Sequence, residues 1–257
     1  MNWRFVNTGL NSGKFNMAYD MQLAKNRKPD EAVLRLYRWK PYCISLGANQ
    51  SFDSINIEKA EEDRIDVVKR PTGGRAILHA EELTYSVVLP IDHDSSARNI
   101  YSEINKALSE GLSLYSDKLT GIELEKSQPD FREFYKEEQS AACFAVPAKC
   151  ELKYDGKKLA GSAQRKLGNV ILQHGSILCG DFHKKIVDYL VLNAENYDKI
   201  ISLLNYTADL FSITGREINY DLLAQSIAGG FESYFDMKFY ELTPVKYFVS
   251  CEKLICI

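Results

Sequence analysis

Apolar and polar residues alternate in short runs through the first half of the chain, which is the pattern of half-buried β-strands. The runs that predict strands are 3–8, 33–39, 43–46, 65–70, 76–79 and 83–89. Helices are predicted between them, one from Asn11-Ser12-Gly13 to the breaker at 26–29 and a short polar one over 55–63. Residues 97–116 then repeat apolar side chains at near-helical spacing, so we expect a helix against one sheet face.

The second half begins with a predicted meander and ends with predicted helices. The meander strands are 150–154, 157–164 and 170–179, with an Asp155-Gly156 turn after the first. The predicted helices are 184–192, 194–204 and 220–234, followed by a strand or irregular tail after residue 239. These patterns predict an α+β (mixed α/β) fold with a largely antiparallel or mixed sheet flanked by helices. We expect a single domain over 1–257, with a helical C-terminal part at about 181–257.

Composition narrows the class of protein. With 257 residues, 45% hydrophobic and 26% charged, the chain has the balance of an ordinary globular protein. A net charge of −3 argues against a broad basic field for nucleic acid. Neither an apolar leader nor a run long enough to span a membrane is evident, so we expect a cytoplasmic protein. The six cysteines include no Cys-x-x-Cys pair and are interpreted as reduced thiols.

A glycine pair separates two predicted strands, in the run Arg70-Pro-Thr-Gly-Gly-Arg-Ala-Ile-Leu-His79. Gly73 and Gly74 permit positive φ and close approach of a ligand, although such a pair also serves as an ordinary tight turn. Strand alternation would direct Arg75, Ile77 and His79 to one face, and Arg70 precedes the turn. For His79 the sequence favours a hydrogen-bonded histidine over a catalytic base, because no acidic partner is assigned to it.

A cysteine and a lysine lie on either side of the Asp-Gly turn. Cys143 follows an irregular polar stretch and precedes Pro147, which indicates a loop; it is either a small core residue or a thiol nucleophile. Lys158 begins the middle meander strand, where it is either a solvated strand-end lysine or the ammonium that would stabilise a thiolate. Alternation would send Lys157 and Lys158 to opposite faces.

Small side chains follow the lysine along the same strand. Gly161, Ser162 and Ala163 leave room either for an extended acyl chain or for another strand at close range. The side chains alone do not separate these alternatives.

Several ordered motifs resemble those of the biotin/lipoate protein ligase catalytic domain, over about residues 30–180. They are the Arg70–His79 run, Glu82-Leu-Thr-Tyr-Ser86, Lys158-Leu-Ala-Gly-Ser-Ala163, Trp39-x-Pro41, Ser45-Leu-Gly-x-x-Gln50 and Gln173-His-Gly-Ser176. ATP-using lipoate ligases related to lipoate-protein ligase A typically carry a Ser-Gly-Gly-Gly type loop, whereas this chain has Thr-Gly-Gly-Arg. The element Ala142-Cys143-Phe144 ahead of Pro147 and Glu151-Leu152 is instead similar to that of cysteine-dependent octanoyltransferases.

This resemblance implies an acyltransferase that moves an octanoyl group from acyl carrier protein, through a cysteine thioester, to the lysine of a lipoyl-carrier domain. Glycine cleavage H protein and a dehydrogenase E2 lipoyl domain are the implied acceptors. It implies Cys143 as nucleophile, with Lys158 lowering its pKa, and no cofactor or metal. Cys150, in a predicted strand, is a rival nucleophile. The alternatives are an amidotransferase between carrier proteins, an ATP-dependent lipoate ligase, and a non-enzymatic module that binds acylated carriers.

Overall fold

The computed structural model describes residues 1–91, 96–125, 150–240 and 242–244. The strands are β1 Asn2–Asn11, β2 Glu31–Trp39, β3 Cys43–Leu46, β4 Asp66–Lys69, β5 Ile77–His79, β6 Glu82–Pro90, β7 Ile122–Leu124, β8 Leu152–Tyr154, β9 Lys157–Lys158, β10 Ala160–Leu167, β11 Val170–Leu178 and β12 Leu242–Pro244. The α-helices are α1 Gly13–Asn26, α2 Ile57–Glu62, α3 Ala97–Tyr115, α4 Ala194–Leu204, α5 Leu210–Thr214 and α6 Tyr220–Tyr234. The 3₁₀ helices are Phe52–Ser54, Asp117–Leu119 and Phe182–Tyr189.

The largest sheet has six strands in the order β10-β11-β6-β2-β1-β12. Strand β1 pairs in parallel with β2 and β12. The other three pairs, β2 with β6, β6 with β11 and β11 with β10, are antiparallel. Two smaller sheets have three strands each, ordered β4-β3-β5 and β7-β8-β9. The predicted α+β fold with a mixed sheet flanked by helices is therefore confirmed.

Helices α3 and α6 cover one face of the large sheet and enclose the main core. Its fully buried side chains include Leu34, Leu36, Tyr85, Val87, Leu108, Ile227 and Phe231. The two helices approach each other at Gly111 and Gly230, where an added Cβ would overlap backbone atoms of the facing helix. Close approach of this kind requires glycine, because any larger residue would separate the helices and open the core.

A second core lies under the β4-β3-β5 sheet, where Ile44, Leu46 and Leu78 pack against the 3₁₀ helix Phe182–Tyr189 and against α4. Local signals define several of the elements. Ser12 caps α1 by accepting a hydrogen bond from the Phe15 amide at 3.4 Å, at the predicted helix start. Within the described ranges, no helix combines the length and apolar character needed to cross a membrane.

The predicted meander is wrong in one respect: its middle strand is divided between two sheets. Lys157 and Lys158 form β9 and pair with β8, whereas Ala160–Leu167 form β10 and pair with β11. The chain changes partners at Leu159, which is fully buried. A change of partner depends on distant strands, so an uninterrupted alternation pattern does not reveal it.

Two further predictions need correction. Cys150 was expected within a strand, but β8 begins at Leu152 and Cys150 has a φ of 69°, in the left-handed region. The helix predicted at 184–192 is a 3₁₀ helix over Phe182–Tyr189. The short helix α5 was not predicted, although Asp209 caps its start and Gly215, with a φ of 68°, ends it.

Candidate active site

A cavity of about 30 Å³, open at its mouth, lies where the large sheet meets the two smaller ones. The described residues that line it are Met17, Tyr37, Trp39, Ser45, Arg70, Ile77, His79, Thr84, Glu151, Lys158, Gly161, Ser162, Ala163, His174, Gly175 and Ser176. Six of the predicted site residues are thus brought together: Arg70, His79, Lys158, Gly161, Ser162 and Ala163. Cys143 lies outside the described residues.

Lys158 stands in the cavity wall as half of a buried ion pair. Its Nζ lies 2.9 Å from Oε2 of Glu151, and the two residues are 4% and 2% exposed. The exposed neighbour Lys157 points the other way, as strand alternation predicted. An ammonium this deeply buried needs an anion beside it, because its desolvation is otherwise very costly.

The backbone around Lys158 is held on both sides. On one side β9 pairs with β8; on the other, the Lys158 amide donates to the Tyr206 carbonyl at 2.9 Å, and the Ala208 amide donates to the Lys158 carbonyl at 2.9 Å. The backbone amide and carbonyl of Lys158 are therefore both hydrogen-bonded, which fixes the position of its Cα in the cavity wall.

Glu151 is itself held by donors from β10 and α3. The Ser162 amide donates to its Oε1 at 3.0 Å, and the Tyr101 hydroxyl shares its one proton between the same oxygen at 3.4 Å and the Ser162 carbonyl at 3.2 Å. The Ser162 hydroxyl continues the network to Tyr85 at 2.6 Å. Sequence analysis gave Glu151 no role, because its partners come from distant parts of the chain.

His79 occupies the opposite wall of the cavity in a chain of hydrogen bonds. Its Nδ1 lies 2.8 Å from Oε1 of Glu82, and its Nε2 lies 2.7 Å from the Ser45 hydroxyl. The Ser45 oxygen also accepts from Arg70 at 3.1 Å, so its proton points to Nε2 and Nδ1 carries the ring proton. The ring stacks on Trp39 with centroids 4.1 Å apart.

Glu82 is the acidic partner that sequence analysis failed to assign to His79. Besides His79, its Oε1 accepts from three donors: Trp39 at 3.2 Å, Thr84 at 2.5 Å and Ser176 at 2.7 Å. Burial alone raises the pKa of Glu82, but the neighbouring His79 and the hydrogen bonds from His79, Thr84 and Ser176 outweigh it, so the pKa lies below its usual value. The spacing His79-x-x-Glu82 across a two-residue turn was the signal available in the sequence.

A second histidine repeats this arrangement. His174 lies between Asp20, with Nδ1 to Oδ2 at 3.4 Å, and Thr72, with Nε2 to Oγ1 at 2.6 Å. Asp20 also forms a fully buried ion pair with Arg35 at 2.7 Å. Burial lowers the pKa of His174 despite Asp20, which keeps the ring neutral near neutral pH.

In both hydrogen-bonded series, Glu82-His79-Ser45 and Asp20-His174-Thr72, an acid, a histidine and a hydroxyl are bonded in turn. Ser45 and Thr72 are each fully buried, and each hydroxyl is bonded to its histidine. A hydrogen bond to histidine would activate such a hydroxyl, but both residues have no exposed surface, which separates them from an incoming substrate. We interpret both series as supports that fix the cavity wall.

The glycine turn is held from beneath by Arg70. Its guanidinium donates to the carbonyls of Ser45 at 2.7 Å, Gly73 at 2.9 Å and Arg75 at 2.7 Å. Gly74 has a φ of 94°, whereas Gly73 is exposed and an added Cβ there would meet no atom within 4 Å. Gly73, Gly74 and Arg75 do not line the cavity; they form the turn beside it.

The small residues after Lys158 border the cavity and also accommodate a neighbouring strand. A Cβ on Gly175 of β11 would come within 2.5 Å of the Gly161 carbonyl oxygen and 2.7 Å of Ser162 Oγ. The structure shows the close approach of β10 and β11. Gly161, Ser162 and Ala163 also face the cavity, and their contact with an acyl chain stays a prediction.

Among the described cysteines, two are core residues. Burial raises the pKa of both Cys43 and Cys179, so neither is a thiolate at neutral pH. Cys150 is partly exposed and adjoins Glu151, and its amide donates to the Glu125 carbonyl at 2.8 Å.

Comparison with known proteins identifies the family to which the chain belongs. Residues 12–232 match the family model of the lipoyl protein ligase A/B catalytic domain. Octanoyltransferase LipM of Macrococcus caseolyticus is 33% identical over 92% of this chain and 88% of its own. Octanoyltransferase LipM of Bacillus subtilis is also 33% identical, over 90% of this chain and 85% of its own.

Solved structures agree on the fold. The bipartite lipoate protein ligase of Thermoplasma acidophilum superposes with a TM-score of 0.75, covering 96% of this chain and 88% of that one, at 19% identity. Lipoate-protein ligase A bound with ATP gives a TM-score of 0.74, also at 19% identity. The chain belongs to the lipoyl protein ligase A/B catalytic domain family. Its predicted resemblance to the octanoyltransferase branch is confirmed by the relatives.

Proposed function

We propose that this protein is an octanoyl-[acyl carrier protein]:protein N-octanoyltransferase of lipoate biosynthesis, working through a thioester on Cys143. The octanoyltransferases that align with most of the chain support the acyl group and the reaction class. The observation that carries the mechanism is Lys158, a buried ammonium in the wall of a cavity bordered by small residues. The family match over residues 12–232 supports one catalytic domain.

In the first half-reaction the Cys143 thiolate, stabilised by the Lys158 ammonium, attacks the carbonyl carbon of the donor thioester. A new carbon–sulfur bond forms to Cys143, and the bond to the carrier sulfur breaks. The departing carrier thiolate takes a proton from Lys158, which is left as a neutral amine. Thioester replaces thioester, so the step is nearly balanced in energy and the catalyst's work is activation and positioning.

In the second half-reaction the lysine amine of a lipoyl-carrier domain attacks the Cys143 thioester. A carbon–nitrogen bond forms, the carbon–sulfur bond breaks, and the amine proton passes to Lys158. The thiolate–ammonium pair is thereby restored, and an amide is released. Amides near Gly73 or Gly161 are the proposed donors to the carbonyl oxygen during both attacks. Arg70, His79, Ser162 and Ala163 are proposed to shape the cavity around the acyl chain.

Intact-mass spectrometry after mixing with octanoyl-acyl carrier protein tests the nucleophile. We expect one octanoyl adduct on the parent protein and on Cys150→Ala, and none on Cys143→Ala. An adduct that persists in Cys143→Ala and disappears in Cys150→Ala would assign the role to Cys150 instead.

A second measurement tests the donor. The acylated protein, freed of donor, is mixed with a lipoyl-carrier domain, and transfer of the full adduct is expected without ATP. If octanoylated glycine cleavage H protein acylates Cys143 and octanoyl-acyl carrier protein does not, the enzyme is an amidotransferase. If modification of the acceptor requires free acid and ATP, and releases pyrophosphate, it is a ligase.

A further inference from the structure

Lys158 has a long, flexible side chain, and its charged end is held by Glu151, an acid that the sequence analysis left without a role. The pair joins β8's N-terminal edge to β9, with Nζ and Oε2 2.9 Å apart. Neither side chain is more than 5% exposed. The contact is therefore a buried ion pair inside the cavity wall, unlike the solvated lysine pairs elsewhere on the described surface.

We propose that Glu151 is the positioning residue for Lys158: it fixes the ammonium at the cavity and keeps it protonated for use by the thiol nucleophile. This inference rests on the proposed function, in which Lys158 stabilises the Cys143 thiolate. Glu151 acts through Lys158 and makes no bond to the acyl group.

The first argument is geometric. Glu151 is restrained at Oε1 by the Ser162 amide at 3.0 Å and by the Tyr101 hydroxyl at 3.4 Å, which leaves Oε2 directed at Lys158. These donors belong to β10 and α3, so the position of the carboxylate is set by two elements packed against it. A lysine side chain has four rotatable bonds and many conformers. An anion in a fixed position stabilises the conformers that bring the ammonium to it.

The second argument is electrostatic. A buried ammonium without an anion would lose its proton, because desolvation disfavours the charged form. Once Cys143 is acylated its thiolate charge is gone, and Glu151 is then the anion beside Lys158. The carboxylate thus favours return of a proton to Lys158 during attack by the incoming amine.

Several titratable groups among the described residues near the pair stay neutral or are bonded to partners of their own. Burial raises the pKa of Tyr101, and the charge of Glu151 raises it further; the same two causes act on Tyr85 of β6, so both hydroxyls stay neutral. Arg70, His79 and His174 line the same cavity from the other sheet elements. Each is bonded to its own partners, at Ser45, Glu82 and Asp20 respectively.

Two variants of Glu151 separate the effect of its charge from the effect of the position of its carboxylate. Glu151→Gln keeps the size of the side chain and removes its charge, whereas Glu151→Asp keeps the charge and draws it back by one carbon. Glu125→Gln is the matched control, because Glu125 pairs with Lys153 at 2.7 Å in the same small sheet but does not line the cavity.

The first readout is the acylation of Lys158 by a water-soluble acetylating reagent at about pH 8, followed by digestion and mass spectrometry. We expect Lys158 in Glu151→Gln to react about tenfold faster than in the parent, since loss of the anion raises its neutral fraction. Reactivity of the exposed Lys166, which is in no ion pair with Glu151 or Glu125, serves as the internal reference. This measurement needs no acyl donor, so it reports on the pair even if Cys143 proves not to be the nucleophile.

The second readout is the pH profile of the single-turnover acylation rate. For Glu151→Gln we expect the alkaline limb to move to lower pH, because the variant has lost the carboxylate beside Lys158. For Glu151→Asp we expect an unmoved limb and a rate about tenfold lower, because the ammonium is displaced. Glu125→Gln should match the parent in both.

Unchanged Lys158 labelling together with an unmoved limb in Glu151→Gln would overturn the proposal. If that variant does not fold, Glu151→Asp decides, and a parental acylation rate there would overturn the positioning role. If labelling changes as expected but no variant alters acylation, the pair is real and the proposed function of Lys158 is what fails.

Discussion

The cavity has two walls, and each contains a buried glutamate with a different set of bonding partners. Glu82 accepts four hydrogen bonds on one oxygen, from His79, Trp39, Thr84 and Ser176, all attached to strands or their ends. Glu151 instead has an ammonium as its main partner, at the end of a flexible side chain. The Glu82 wall is a fixed network, whereas the Glu151 wall contains the group that must gain and lose a proton.

This difference indicates how the labour of the site is divided. Rigid rings and hydroxyls such as His79 and Ser45 lose little conformational entropy when bonded, so they suit a wall that has to keep its shape. A lysine retains mobility at its end and can exchange partners, which suits proton transfer. Substitutions on the Glu82 wall should therefore change stability, and those on the Glu151 wall should change rate.

The largest effect is expected from Lys158→Ala. Removing the ammonium should slow both half-reactions by about 10²–10⁴, the range of a positioned acid–base group. Rapid-quench measurement of the acyl-enzyme at several pH values gives the first rate, and single-turnover transfer to the acceptor gives the second.

The neighbouring Lys157→Ala is the control for that experiment. Lys157 is exposed, lies on the same two-residue strand and points away from the cavity, so its loss should leave both rates within about twofold. Equal acylation rates for Lys158→Ala and the parent at every pH would remove Lys158 from the mechanism.

Glu82→Ala should act on the other wall, through stability. It leaves His79, Thr84 and Ser176 without this acceptor in a buried site, whereas Trp39 still donates to Thr84 at 2.6 Å, and we expect a cost of about 3 kcal/mol. Urea unfolding followed by circular dichroism measures the loss, and an unchanged m-value would show that the folded state is otherwise intact. A variant that unfolds like the parent but acylates more slowly would reverse the assignment of the two walls.

Part of this comparison was predictable from the sequence. The cap at Ser12, strand β3 and the opposite faces of Lys157 and Lys158 follow from local patterns, because neighbours in sequence determine them. The acids were not predictable in the same way. Asp20 and His174 are separated by 154 positions, and no local periodicity encodes such a contact.

The same reason accounts for the missing role of Glu151. Its partner Lys158 is close in sequence, but the direction of Glu151 is set by Ser162 and Tyr101, which reach it only after β10 and α3 have packed. The change of sheet at Leu159 has the same cause. Predicting it requires knowing which strands accept β9 and β10 as partners.

The protonation of His183, a buried histidine close to the backbone of Lys158, should lower the stability of the protein as the pH falls. His183 is buried and bonded to Thr207 at 3.0 Å, and Thr207 forms a bridge with Lys158. Burial lowers the pKa of His183 to about 4. The unfolded chain takes up this proton at higher pH than the folded protein, so stability is full above the unfolded pKa of 6.5 and falls as the pH drops toward 4.

We expect this histidine to contribute a loss of about 2 kcal/mol between about pH 7 and about pH 5. His174, whose pKa is also lowered by burial, contributes in the same direction. Urea unfolding of the parent and of His183→Gln at both pH values measures the share of His183. A variant with the parental pH slope would show that His183 does not titrate in this range.

The smallest effect on stability is expected at Gly73, in the turn that adjoins the Glu82 wall. An added Cβ there has no neighbour within 4 Å, so Gly73→Ala should change the free energy of unfolding by less than about 0.5 kcal/mol. Gly74→Ala should cost about 1–2 kcal/mol, because its φ of 94° is strained for alanine. If the substrate approaches Gly73 closely, the added methyl group slows acylation while leaving stability intact, and parental kinetics in that variant would show that the substrate does not approach Gly73.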